Sequence, residues 1–248
     1  SRFVAAFIII KLLLKDKWTL HLERTYRFNP DWNMIRKILS VGIPNGLENS
    51  MFQLGKLAIQ STVSTLGTTA IAAQAMTNIL ENLNGMAAIG VGVGLMTIVG
   101  QCMGADRKDE AVYYIKKLSV IAEVAIIVSC LLVFALIRPV TVLGGMEPAS
   151  AKMCFHMVTW ITLVKPIVWT LAFVPAYGLR AAGDVKFSMI TSCLVMWLCR
   201  FCLCVILIRF LGFGPMGVWI GMFADWTVRA VIFTWRFHSR RWLRYKVI

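Results

Sequence analysis

The chain has 248 residues, 58% of them hydrophobic and only 15% charged, with a net charge of +14 and a mean hydropathy of +0.73. A water-soluble fold has no place for so many apolar side chains, and membrane β-strands would need alternating ten-residue segments that are missing here. What remains is an all-α integral membrane protein, because the long apolar runs that recur along the chain each reach the roughly 20 residues that carry a helix across ~30 Å of hydrocarbon.

The run at residues 3–14 is too short to cross, and basic residues follow it where a signal peptide would have small ones. Residues 1–15 therefore read as the end of a preceding transmembrane helix, 16–37 as a cytoplasmic linker, 38–238 as a six-helix lobe and 239–248 as a basic cytoplasmic tail. The predicted spans are 38–66, 69–102, 118–137, 149–178, 187–208 and 215–237, joined by short connections that make neighbours antiparallel. Asn29-Pro30-Asp31 and Glu147-Pro148 carry helix-start chemistry ahead of the first and fourth spans.

Lys and Arg divide eighteen to three between the two sets of connections, which places the linker and the C-terminus in the cytoplasm of a multi-pass protein of the inner (plasma) membrane. The positive charge thus reads as topology plus attraction to lipid headgroups, and no nucleic-acid partner is expected.

In the first span, Asn45, Asn49, Gln53, Lys56 and Gln60 fall within about 80° of one another on a helical wheel, with Glu48 beside them. Pro44, one turn before Glu48, loosens a backbone hydrogen bond and lets the helix bend. The second span repeats the device with Gln74, Asn78, Glu81 and Gly85, then Gly90, Gly92 and Gly94. Such faces cannot look at lipid, so they face a wet cavity or each other; the plainer reading is that amides and small residues simply bind helices together.

Lys165 precedes Pro166 in the fourth span, Arg200 lies in the fifth, and Asp225 and Arg229 are one turn apart in the sixth. Counting ~1.5 Å of depth per residue allows three opposite-charge pairs: Lys56 with Glu81, Arg200 with Asp225 as a fixed tie, and Glu48 with Lys165. Cys199, Cys202 and Cys204 superficially resemble metal spacing, but no second Cys or His pair accompanies them, so they read as packing residues with no metal. The sequence has no HExxH pair and no GxSxG turn, which leaves an enzyme without its chemistry.

Several segments resemble the C-terminal half of the multidrug and toxic compound extrusion (MATE) family. They are Gly42-Ile43-Pro44 with Glu48, then Leu66-Gly67 and Ala70-Ile71-Ala72-Ala73-Gln74, Val99-Gly100-Gln101-Cys102-Met103-Gly104-Ala105, Leu179-Arg180-Ala181-Ala182-Gly183-Asp184, and Gly212, Gly214, Gly217 and Trp219. The resemblance implies one of two six-helix lobes in a transporter that exports cationic or amphipathic small-molecule drugs in exchange for H⁺ or Na⁺, with no other cofactor. Its expected partners are membrane lipid and the N-terminal lobe of the same protein. Glu48 is the family-like cation-coupling candidate, and Lys165, standing where some members have an acid, is its expected exchanging partner. A lipid-linked oligosaccharide flippase and a non-catalytic half-size membrane subunit are the alternatives.

Overall fold

The computed structural model describes residues 2–13 and 31–244. The chain divides into two units, Ser1–Leu39 and Ser40–Ile248. In the first, α1 (Arg2–Leu13) is a short apolar helix. The first turn of α2 (Trp32–Ser64) is capped by Asp31, whose Oδ1 accepts from the backbone N–H groups of Asn33 (2.9 Å) and Met34 (3.3 Å). Asn29, Pro30, most of the expected linker and the last four residues of the tail lie outside the described residues.

The second unit holds the rest of α2 followed by α3 (Thr68–Gly104), α4 (Lys108–Leu143), α5 (Pro148–Ala181), α6 (Val185–Arg209), α7 (Met216–His238) and a 3-10 turn at Arg241–Arg244. Among the described residues there is no strand, so the architecture is all-α. Five helices, α3 to α7, are long and apolar enough to cross a membrane. The sequence predicts six, but the amides and charges of the stripe keep α2 from matching its neighbours in hydropathy, although it is 33 residues long.

Two other expectations change. The third predicted span begins at Lys108 and not at 118, because Asp109 and Glu110 complement the positive helix N-terminus and extend it outward. Lys116 and Lys117, which the predicted spans leave in the connection before 118 and which count among the eighteen, therefore sit within α4. Pro148 opens α5 as expected, yet the Glu147 side chain makes no capping hydrogen bond; proline's fixed φ suffices to start the helix.

The packing is led by α3 against α4 and α5, and by α5 against α7. Its main core runs through Leu95, Ile115, Ile126, Met157, Ile161, Leu179, Trp219 and Phe233. A smaller cluster joins Ile59 and Val63 of α2 to Met196, Cys204 and Ile208 of α6 and Val218 of α7. Outward faces present Leu131, Leu132, Ile167 and Val231, as lipid-facing helices do. The seven cysteines are free thiols. Cys204 is buried and Cys202 is exposed, so the three-cysteine cluster of α6 does not converge on one point.

Close helix contact depends on missing side chains. At Gly92 of α3 an added Cβ would stand 2.5 Å from the ring of Tyr177 on α5. A rigid ring within a packed bundle has little room to retreat, so Gly92→Ala is expected to destabilise the protein by about 1–3 kcal/mol, the usual cost of overpacking. Thermal unfolding in detergent measures this, and an unchanged midpoint would show that the two helices separate freely.

Candidate functional site

The polar stripes of α2 and α3 meet, together with α6 and α7, around a cavity of about 430 Å³. Gln53, Lys56 and Gln60 come from α2, and Gln74, Asn78 and Glu81 from α3, each set spaced by three or four residues so that it shares one helix face. Arg200 of α6 and Met222 of α7 close the other side. The Trp219 indole N–H donates to Gln74 Oε1 at 3.1 Å and fixes that amide in the wall.

Arg200 sits in a π-helical turn, Met196–Cys202, that interrupts α6. Such turns shift the side-chain register locally and recur at functional sites. Gly221 lets α7 approach here, since a Cβ would lie 3.0 Å from the Arg200 carbonyl oxygen. Arg200 is only 8% exposed, its terminal nitrogen lies 2.8 Å from Met222 Sδ, and its Nε has no hydrogen-bond partner among the described residues.

Lys165 of α5 is fully buried. Its Nζ donates to Glu81 Oε1 at 2.7 Å and to the Glu81 backbone oxygen at 3.0 Å, and it stands 5.6 and 6.0 Å from the ring centroids of Trp169 and Trp226. Gly85, one turn beyond Glu81, leaves this space open, because a Cβ there would come within 3.3 Å of Nζ. The same aromatic residues, with Phe52, Phe173 and Tyr177, wall a second hollow of about 170 Å³ that shares Lys56, Glu81 and Arg200 with the first.

The charge pairs differ from those expected. Glu48 is bonded to Arg180 and not to Lys165, while Arg180 Nε also donates to Ser188 Oγ at 2.8 Å. Glu81 takes Lys165 and not Lys56. Asp225 takes Arg229 of its own helix at 2.9 Å and, among the described residues, leaves Arg200 without an ion pair. Arg229 donates further to the Ser192 carbonyl at 3.0 Å. Depth counting treats every helix as upright and equally accessible to every other; here α5 turns its lysine toward α3, its extensive packing partner, while α2 leans on α6.

Of the predicted polar face, Gln53, Lys56, Gln74, Asn78 and Glu81 gather at the cavity. Asn45 and Asn49 do not line it: both are exposed, and the Asn49 amide donates to the Asn45 carbonyl at 3.1 Å. Glu48 is nine-tenths buried, lies outside the cavity wall, and keeps a second carboxylate oxygen without a partner among the described residues.

Sequence reasoning missed Arg180, which it placed in a cytoplasmic loop, and missed Phe52, whose ring lies 5.1 Å from Lys56 Nζ, 5.6 Å from the Arg200 guanidinium and 5.9 Å from that of Arg229. The usable signal for Phe52 was its position one turn before Lys56. A larger hollow of about 680 Å³ between α5 and the start of α7 is almost wholly apolar, with Met153, Trp160, Phe213 and Phe223 in its wall.

The family model MatE matches residues 44–206. The probable multidrug resistance protein NorM of Thermotoga maritima is 25% identical over 249 residues, covering all of this chain and 53% of the relative. The uncharacterized transporter YisQ of Bacillus subtilis is 23% identical over 242 residues, covering 96% of this chain and 50% of the relative. The chain thus spans about half the length of these curated relatives. In fold it is similar to a solved outward-facing multidrug resistance MATE family transporter, with a TM-score of 0.77 at 16% identity over 96% of this chain and 53% of the other. A match to the family model over most of the six-helix region, made by a chain with Lys56, Glu81 and Arg200 around a polar cavity, means that the chain belongs to the MatE family of multi-pass membrane transporters.

Proposed function

We propose that this chain forms one lobe of a secondary active transporter that exports cationic or amphipathic small-molecule drugs in exchange for H⁺ or Na⁺. The carrying observation is the cavity itself, where amide and charged side chains of α2, α3 and α6 face one another between apolar helices, with Val218 and Met222 of α7 in the wall. Holding charges there is costly, and such residues usually mark a transport path. The coupling ion is the energy source, and no further cofactor enters this reading. The partner is the N-terminal lobe of the same protein, in the inner (plasma) membrane with the C-terminus in the cytoplasm. Catalysis of bond chemistry plays no part.

Everted vesicles holding the complete protein test this. An imposed H⁺ or Na⁺ gradient is expected to move ethidium across the membrane faster than in vesicles without the protein, and added protease should reach the C-terminal tail. Movement of ethidium and of an acidic dansyl amphiphile alike indifferent to both gradients would defeat the transport reading.

A further inference from the structure

The balance of charge at the cavity is lopsided. Lys56 and Arg200 line it directly, with Lys165 and Arg229 just behind, against only two acids, Glu81 and Asp225. Those acids are already engaged: Glu81 with Lys165 at 2.7 Å and Asp225 with Arg229 at 2.9 Å. Lys56 and Arg200 are left over, and among the described residues neither forms an ion pair. Their shared aromatic neighbour, Phe52, offers each a weak cation–π contact but no anionic acceptor.

Burying an arginine without an anion is expensive, and the guanidinium's forked donors match a carboxylate or phosphate. Arg200 is more than nine-tenths buried, forms part of the cavity wall and has an Nε with no acceptor. Lys56 approaches the same space from the opposite helix. Beside these cations the aromatic hollow of Trp169, Phe173, Tyr177 and Trp226 supplies an apolar wall for a flat or flexible body.

We infer that the cavity between α2, α3, α6 and α7 takes the anionic end, carboxylate or phosphate, of an amphiphile, gripped by Lys56 and Arg200 while its apolar part lies in the adjoining aromatic hollow. This rests on the transport reading above and narrows it from cationic or amphipathic cargo to acidic amphiphiles for this lobe. A permanently cationic drug meets two positive charges that hold no ion pair among the described residues.

The test uses the complete protein in phosphatidylcholine nanodiscs and two dansyl probes of similar size, the acid dansylaminoundecanoate and the amine dansylcadaverine. Binding is read as dansyl emission excited through tryptophan, with empty nanodiscs subtracted. The acid is expected to bind roughly tenfold more tightly than the amine, and Arg200→Gln to weaken the acid by about tenfold without weakening the amine, as loss of one charge-assisted contact does. Lys56→Gln, at an exposed side chain whose loss does not threaten folding, should weaken the acid in the same sense.

Equal or tighter binding of the amine by the unmodified protein overturns the proposal, as does acid binding unchanged by Lys56→Gln and Arg200→Gln together. Displacement of the acid by phosphatidylglycerol in the nanodisc supports the site and makes a lipid headgroup its occupant. Retention of the acid in the presence of that lipid supports the site and makes a free amphiphilic acid its occupant. Ethidium export without acid binding sinks this inference alone, whereas acid binding without gradient-driven movement of either the dansyl acid or ethidium upholds the site and sinks the transport reading.

Discussion

Glu81→Gln is expected to lower the stability of the protein by about 3–5 kcal/mol, the usual cost of leaving one member of a buried ion pair alone. Lys165 is fully buried, and both of its hydrogen-bond acceptors belong to Glu81, at 2.7 Å through the side chain and 3.0 Å through the backbone. The rings of Trp169 and Trp226 attract the ammonium but cannot neutralise it. A glutamine keeps the shape and one acceptor, so the change isolates the charge. Combining Glu81→Gln with Lys165→Met should restore most of the loss, since replacing both members of a buried pair by uncharged groups is often neutral. Thermal unfolding of the two single variants and the double variant in detergent forms a closed cycle. Additive losses in the double variant, or a Glu81→Gln protein as stable as the parent, would show that water reaches Lys165 and that the pair is no internal tie.

This tie separates what sequence could and could not provide. Hydropathy alone placed the long helices, because burying apolar area in lipid leaves few other arrangements, and helical spacing placed Gln53, Lys56, Gln74, Asn78 and Glu81 on faces that do meet. Partner choice was another matter. Residue counting put Glu48 and Lys165 at one depth, but which charges touch depends on which helix a given face adjoins, and this is decided by close-packing details such as Gly85, Gly92 and Gly221. The π turn that carries Arg200 has no periodic signal, since one extra residue in a turn leaves the apolar pattern of α6 almost unchanged. Arg180 was hidden for a further reason. It lies in the last turn of α5, where basic residues ordinarily read as cytoplasmic markers, yet the turn closed by Gly183 at φ +93° holds that helix end while the long side chain reaches inward to Glu48.

Glu48→Gln, the second large expected effect, should slow gradient-driven export by the complete protein by roughly tenfold, the size of an ordinary coupling free energy, without abolishing drug binding. The argument begins with the carboxylate: one oxygen holds Arg180, and the other is buried with no partner. Neutralising this carboxylate removes the charge that holds Arg180, and the released arginine retains Ser188 at 2.8 Å. Pro44 lies one turn earlier in α2, inside a helix that it deprives of a backbone hydrogen bond, so a change of tether at Glu48 acts on a segment able to bend. Glutamine preserves a hydrogen bond to Arg180 but cannot cycle between charged and neutral forms, and the lobe should remain in one packing. Arg180→Gln removes the counter-charge instead and should also impair export. The two variants should respond differently to pH, because only Arg180→Gln retains an ionisable group at position 48. Dye efflux from everted vesicles across a range of imposed pH gradients measures both. Export by Glu48→Gln at the parental rate and with the parental dependence on the gradient would remove this carboxylate from the coupling step and leave the Glu48–Arg180 bond a structural fastening between α2 and α5.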